Sequence, residues 1–197
     1  MHDRRYTRAR LLRTALGGGA VAAGGAAIGH WNGATSTAAP SADAVAEVLN
    51  LFLTLEYVQE RFYAEAVEAG DLTEELLSFA QAAGKQERDH VAFLTERLGS
   101  RARARPRTDF GDLVSTPERF QDTAVELEEQ TIAVYVGQAA NLPRDAVAGI
   151  ATLVSVEARQ AAWIRDVAGL PPAPRAADPA RKPGDVLSDL RERGFLA

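Results

Sequence analysis

Four stretches of the chain repeat apolar residues at intervals of three, four and seven positions. This spacing places side chains on one face of an α-helix. The stretches run from Ala42 to Ala69, from Asp71 to Leu98, from Thr116 to Asn141 and from Pro143 to Ala168. Three of them end at a glycine, which is common just past a helix C-terminus. The pattern predicts four long amphipathic helices.

The connections predict how these helices are arranged. Only Gly70 separates the first two, because Asp71 and Glu74 have the spacing of a capping box that opens the second helix. The last two are joined just as tightly, so each pair is predicted to form an antiparallel hairpin. Residues 99–115 join the hairpins and can reach about 55 Å, further than the length of about 40 Å expected for a 27-residue helix. Helix three can therefore run parallel to helix two.

The predicted fold is thus an all-α four-helix bundle over residues 42–170, built from two antiparallel hairpins and a long crossover. Residues 171–197 form a proline-rich tail. Helical spacing from Pro183 to Arg193, followed by a glycine, predicts a short C-terminal helix in this tail. Its apolar side chains are expected to dock on the bundle. They are Val186, Leu187 and Leu190.

Residues 1–39 differ from the rest of the chain in composition. Five arginines precede a Gly/Ala-rich run over residues 15–29, and small residues up to Ala39 follow it. This order is typical of an export signal. It resembles a twin-arginine leader, with Arg4-Arg5 as the pair and Arg10-Leu11-Leu12-Arg13 as a second, degenerate candidate, and predicts transport across the cytoplasmic membrane. The alternatives are an uncleaved anchor, the only membrane contact expected, or a disordered leader.

Charge and composition exclude several classes of function. The chain has 197 residues and a net charge of −5, which becomes −9 without residues 1–39. Nucleic-acid binding is not expected, because it requires a basic surface. The arginines of the crossover are predicted to lie in a solvated loop. The chain has no cysteine, so any metal site would use oxygen and imidazole, and His90 is the one histidine after residue 39.

An acidic residue lies in the middle of each apolar helix face. An ionised side chain at such a position costs several kcal/mol unless it meets opposite charge. The four residues are Glu56, Glu87, Glu128 and Glu157. One helical turn further on, His90 follows Glu87 and Gln160 follows Glu157. The two hairpins therefore resemble diverged copies, and packing about a pseudo-dyad would bring the carboxylates together.

Charge balance favours a dinuclear metal site, because two divalent ions neutralise four carboxylates. In this scheme Glu56 and Glu128 each bind one ion, Glu87 and Glu157 bridge, and His90 adds a nitrogen ligand. Oxygen-rich ligation with imidazole suits iron or manganese. Tyr63 and Tyr135 follow the acids of helices one and three by seven residues. They are predicted to be core tyrosines that hydrogen-bond a ligand carboxylate of a neighbouring helix.

These motifs resemble those of the ferritin-like superfamily, and within it the exported or desiccation-associated ferritin-like proteins. The resemblance covers residues 42 to about 170. It rests on Leu55-Glu56-Tyr57 with Phe62-Tyr63, Glu87-Arg-Asp-His90-Val-Ala-Phe-Leu94, Leu127-Glu128 with Ala133-Val-Tyr135-Val-Gly137, and Val156-Glu157-Ala-Arg-Gln160-Ala-Ala-Trp163. It implies a di-iron carboxylate centre that reacts with dioxygen or peroxide and often oxidises iron. For the desiccation-associated branch it implies much less about activity.

One residue departs from the pattern that the resemblance implies. Gln160 stands where a histidine is expected, and its amide oxygen is a neutral and weaker ligand than imidazole. The site is therefore expected to be asymmetric, with a weakly held ion on the Gln160 side. Two hypotheses stay open. One is an exported protein that oxidises Fe(II) or reduces peroxide, and the other is a metal-free structural or stress-protective bundle.

Overall fold

The computed structural model describes residues 39–196, and five α-helices account for most of them. Short 3₁₀ turns cover Gly99–Arg101, Gly111–Val114 and Ala139–Asn141. The described part of the chain contains no β-strand, so the predicted all-α fold is confirmed. The helices are α1 (Ala42–Ala69), α2 (Glu74–Leu98), α3 (Pro117–Gln138), α4 (Arg144–Val167) and α5 (Pro183–Glu192).

Side-chain caps fix where three of these helices begin. The hydroxyls of Ser41, Thr73 and Thr116 each accept a hydrogen bond from the backbone N–H three residues further on. The prediction that the second helix opens at Asp71 is therefore wrong by three residues. Thr73 caps it instead, and residues 71–73 belong to the connection.

Aromatic contacts define the directions of the helices. Phe62 stacks on Phe120 and Phe52 stacks on Tyr135, so α3 runs antiparallel to α1. It therefore runs parallel to α2, the antiparallel partner of α1, as the length of the crossover predicts. These rings are buried and form the core of the bundle between the two hairpins.

The crossover is attached to the surface of α1 along its length. The amide of Asn50 donates to the carbonyl of Arg101 and accepts from the backbone N–H of Arg103. Three crossover arginines pair with acids of α1, and the guanidinium of Arg105 also covers the ring of Tyr57. The ion pairs are Arg101 with Asp43, Arg103 with Glu47, and Arg105 with Glu60. These side chains are exposed, as predicted for a solvated loop, and they also pair with acids of α1.

The C-terminal tail docks on the bundle. Val186 and Leu190 of α5 are buried, and Leu187 is half-buried, so the three residues predicted to dock do so. The backbone N–H of Arg181 donates to the carbonyl oxygen of Ala133 on α3. Gly137 allows this approach, because a Cβ there would lie 2.5 Å from the carbonyl oxygen of Arg181.

The predicted export signal falls on residues 1–39 and lies, except for Ala39, outside the described residues. Over residues 39–196, no helix combines the length and the apolar character that crossing a membrane requires.

Candidate metal centre

The four helices of the bundle bring four carboxylates into its interior. Each lies in the apolar face of its helix and is fully buried, with no exposed surface. Burial of this kind removes the carboxylates from water, which they require when ionised. The residues are Glu56 on α1, Glu87 on α2, Glu128 on α3 and Glu157 on α4.

One imidazole nitrogen lies among three of these carboxylates. His90 Nδ1 is 3.2 Å from Glu56 Oε2, 3.1 Å from Glu87 Oε2 and 2.8 Å from Glu157 Oε1. The side chain of His90 is only 7% exposed. A ring nitrogen carries a single hydrogen, so it cannot satisfy three acceptors at once. The ligand atoms of these four residues all lie within 4.8 Å of one another, which is the spacing of groups that could hold a metal ion.

Two tyrosines connect the hairpins through these carboxylates. Tyr63 on α1 donates a hydrogen bond to Glu128 Oε1 on α3, and Tyr135 on α3 donates one to Glu56 Oε1 on α1. Both rings are buried in the core. Each phenol occupies one oxygen of its carboxylate, so the other oxygen remains for another partner.

Gln160 lies at the site and contacts α2 through its amide nitrogen. Its Nε2 donates to Glu87 Oε1 at 2.7 Å and to Gln86 Oε1 at 3.0 Å. The amide therefore orients the carboxylate of Glu87, while its own oxygen is buried without a hydrogen-bond partner. Its predicted role as a weak metal ligand stays a prediction.

Several buried carboxylate oxygens lack a hydrogen-bond donor among the described residues. Both oxygens of Glu157 are in this position, because the contact of Oε1 with His90 Nδ1 does not have the direction of a hydrogen bond. Oε2 of Glu128 is unpartnered as well. Buried acceptors are normally satisfied, so these oxygens indicate a missing partner of positive charge or a proton.

The ionisation of the carboxylates reflects their mutual crowding. Burial, followed by the charge of Glu157, raises the pKa of both Glu87 and Glu128 well above the ordinary range. Burial together with the charge of Glu56 raises the pKa of Glu157 to about 7. Burial also opposes ionisation of Glu56, but its contacts with His90, together with those of Glu87 and Tyr135, outweigh that effect and lower its pKa. Without a metal, the raised pKa values favour the protonated forms of Glu87 and Glu128.

His90 carries the balancing charge in this state. Burial alone would lower its pKa, but contacts with the carboxylates of Glu157, Glu56 and Glu87 hold it well above the ordinary value. No other basic side chain of residues 39–196 lies within 4 Å of these three carboxylates. A metal ion would displace these protons, because ligands bind metals in their deprotonated forms.

The donor set fits a metal ion such as iron or manganese. Three carboxylates and one imidazole form a hard, oxygen-rich site with a single nitrogen, which suits these ions. Glu56, Glu87, His90 and Glu157 are the residues brought together. Glu128 lies beside Glu157, next to this group rather than within it. The sequence-based scheme of two ions with two bridging carboxylates stays a prediction.

The sequence reasoning missed a polar pair beside the centre. The hydroxyl of Thr131 donates to Gln59 Oε1 at 2.7 Å, and both side chains are buried. Gln59 follows Glu56 by three residues, as Thr131 follows Glu128. Polar residues one turn after each acid could have revealed the pair, since they share the inward face of the helix.

Comparison with known proteins identifies the family of the chain. A search of curated protein sequences finds no match. The model of the ferritin-like domain, however, matches residues 44–170, a range that covers three helices of the bundle completely and α1 except for its first two residues. The chain therefore belongs to the ferritin-like family.

Proposed function

We propose that the protein holds a dinuclear iron or manganese centre and oxidises Fe(II) or reduces peroxide, as a protection against oxidative stress. The observation that carries this proposal is the group of Glu56, Glu87, His90 and Glu157, in which three buried carboxylates surround one nitrogen. Acids buried in this number favour a bound cation, because each costs free energy unless opposite charge meets it.

The side chains of the centre have separate roles in this proposal. His90 and the free oxygens of Glu56, Glu87 and Glu157 would hold one ion. Bound iron or manganese would supply the one-electron chemistry that dioxygen and peroxide require. The phenols of Tyr63 and Tyr135 orient their carboxylates, and Gln160 orients Glu87. Such supporting hydrogen bonds hold ligands in the geometry that a metal requires.

The second ion would bind more weakly than the first. It would have Glu128 Oε2, Glu157 and the amide oxygen of Gln160, all buried and without hydrogen-bond donors in the described chain. Of these three residues only Glu157 contacts His90, and the imidazole is shared with Glu56 and Glu87 at the first position. Oxygen ligands alone favour a labile ion, which would give the centre one tight and one exchangeable position.

We also propose that the reaction takes place outside the cytoplasm, because residues 1–39 resemble a twin-arginine leader. Detection of the protein in the periplasmic, surface or culture fraction would support this. Replacement of both arginines of the pair by lysine, Arg4→Lys together with Arg5→Lys, should retain the protein in the cytoplasm. Equal export of wild type and variant would contradict a twin-arginine route that uses this pair.

The proposal is tested by metal titration and anomalous diffraction. The protein, freed of metal by a chelator, is titrated with anaerobic Fe(II) and with Mn(II), and crystals are measured at each absorption edge. We expect a strong peak beside His90 and a weaker one beside Glu128. Glu96→Gln, an exposed position on α2, is the matched control for Glu87→Gln. If neither ion binds in excess, the proposal is wrong.

The second hypothesis is a metal-free bundle. The raised pKa values of Glu87 and Glu128 favour it, because protonated acids and an imidazolium could balance the cluster without any metal. It predicts that protein purified from its native compartment contains no stoichiometric metal. It also predicts no Fe(II) oxidation by dioxygen or peroxide above that of the Glu87→Gln variant.

A further inference from the structure

A small apolar pocket lies between α3 and α4, beside the metal centre. Its volume is about 200 Å³. Seven of its eight lining residues have aliphatic side chains, among them Leu142, Ile150 and Val154. No charged residue lines it, so a cation or a polar reactant would lose hydration there without gaining a partner.

The inner wall of the pocket reaches the centre. Its one polar lining residue is Tyr135, whose ring is buried and stacked on Phe52. The hydroxyl of Tyr135 is already engaged by Glu56, so the pocket meets the ring of this tyrosine. Val154 precedes Glu157 by three residues, one turn of α4. The side chain of Tyr135 and one helical turn therefore separate the pocket from two of the carboxylates.

The outer rim of the pocket opens to solvent. Ala151 on α4 is exposed, and Ala139, after the end of α3, is half-buried. Both are small, so they leave a gap between the two helices. The pocket thus leads from the surface to a buried wall of the centre.

The volume and the apolar lining of the pocket indicate which kind of ligand it can bind. Apolar cavities of about 150 Å³ in other proteins stay dry and take up xenon or benzene. We propose that this pocket admits dioxygen, a small apolar molecule, to the centre, whereas metal ions and peroxide use other routes. This inference rests on the proposed function, because only a centre that reacts with dioxygen needs such a route.

Substitutions that fill the opening of the pocket test whether it admits dioxygen. Ala151→Phe places a ring in the opening of the pocket. Ala148→Phe is the matched control, since Ala148 lies three residues earlier on the same helix, is exposed and does not line the pocket. Ala139→Leu narrows the opening from the opposite rim and repeats the test if Ala151→Phe destabilises the protein.

The first measurement is structural and needs no activity. Crystals of the full chain without metal are pressurised with xenon, which shares the apolar character of dioxygen. We expect xenon in the pocket of the wild type and of Ala148→Phe, and none in Ala151→Phe. An empty pocket in the wild type overturns the inference, whatever the centre does.

The second measurement is kinetic. Initial rates of Fe(II) oxidation are recorded against dioxygen concentration and, separately without dioxygen, against peroxide. Ala151→Phe should lower kcat/KM for dioxygen by roughly tenfold and leave the peroxide reaction and the metal stoichiometry unchanged. An unchanged dioxygen dependence, or an equal loss with peroxide, overturns the access role.

The two measurements distinguish failure of the access inference from failure of the proposed function. If the wild type oxidises Fe(II) with dioxygen but binds no xenon in the pocket, only the access inference is wrong. If xenon binds but the wild type binds no metal and consumes no dioxygen, the proposed function is wrong and the access role falls with it.

Discussion

Tyr63 on α1 donates its phenolic hydrogen to Glu128 on α3, across the interface between the two hairpins. In the same way, Tyr135 on α3 donates a hydrogen bond to Glu56 on α1. Each tyrosine follows the acid of its own helix by seven residues, so the two contacts are equivalent under the pseudo-dyad. Glu128 and Glu56 are therefore each held by a tyrosine from the opposite half of the chain.

Removal of the hydroxyl group of Tyr63 or of Tyr135 should destabilise the protein. We expect Tyr63→Phe and Tyr135→Phe each to lower the free energy of unfolding by about 1 to 3 kcal/mol, because a buried carboxylate oxygen loses its donor. Urea unfolding measures this. Tyr57→Phe is the control, since Tyr57 makes no hydrogen bond through its hydroxyl within the described residues. Equal losses in the free energy of unfolding at all three positions would show that the hydrogen bonds of the two hydroxyls at the centre do not stabilise the fold.

Neutralising one carboxylate should separate metal binding from folding. Glu87 is buried beside Glu56 and Glu157, so Glu87→Gln should leave the stability of the metal-free protein unchanged or raise it by up to about 3 kcal/mol. Mn(II) at a hundred times its Kd should stabilise the wild type by about 3 kcal/mol and the variant far less. Thermal unfolding with and without Mn(II) checks both. Stabilisation of the variant equal to that of the wild type would contradict the site.

The metal-free protein should lose stability as the pH rises from about 5 to 8. The pKa of Glu157 is raised to about 7 in the folded state from 4.5, so its contribution is present below pH 4.5 and is lost towards pH 7. Glu87 and Glu128, whose pKa values are also raised, act in the same direction. His90 keeps its proton in the folded state above pH 6.5, where the unfolded chain releases it, so it adds to the decline.

Bound metal should reverse this pH dependence. Ligands must release protons to bind, so the stabilisation by Mn(II) should grow as the pH rises over the same range. Urea unfolding at several pH values, with Mn(II) or with a chelator, gives both curves. Parallel curves would show that the ion binds somewhere other than these titrating groups.

An imidazole at position 160 should strengthen the weaker metal position. Gln160→His would place a nitrogen ligand beside Glu87 and Glu157, and we expect tighter binding of the second ion by roughly tenfold or more. Gln160→Leu, which keeps the bulk but removes the amide donor to Glu87, should bind metal less well than the wild type. Isothermal titration measures both. If the two variants behave alike, the side chain at this position does not reach the metal.

The tail should detach when Gly137 gains a side chain. Gly137→Ala would place a Cβ 2.5 Å from the carbonyl oxygen of Arg181. We expect a loss of about 1 to 3 kcal/mol in the free energy of unfolding and faster proteolysis within residues 171–182. Gly184→Ala is the control, because no atom lies within 4 Å of its Cβ and alanine favours the helix.

The positions of the acids could be predicted because helical spacing fixes the face of each residue. Glu56, Glu87, Glu128 and Glu157 lie in uninterrupted apolar patterns, so a bundle had to bring them inward. The spacing of seven residues likewise placed the tyrosines near the carboxylates. The spacing of residues within each helix was sufficient to predict these features.

Other features depend on contacts between distant segments and could not be predicted. The start of α2 is set by Thr73 rather than by Asp71, and both are residue types that cap helices. The orientation of the Gln160 amide depends on Gln86 from another helix. Which carboxylates share His90 depends on the rotation of each helix about its axis, and sequence spacing does not define that angle to within a few degrees.

The buried hydrogen bond between Thr131 and Gln59 has a consequence for the alignment of the helices. A slide of α3 along α1 by one turn, about 5.4 Å, would break it together with both tyrosine contacts. The same groups that prepare the centre thus select one register out of several that the apolar faces alone would accept. These residues would therefore be required for the uniqueness of the fold even in a bundle that binds no metal.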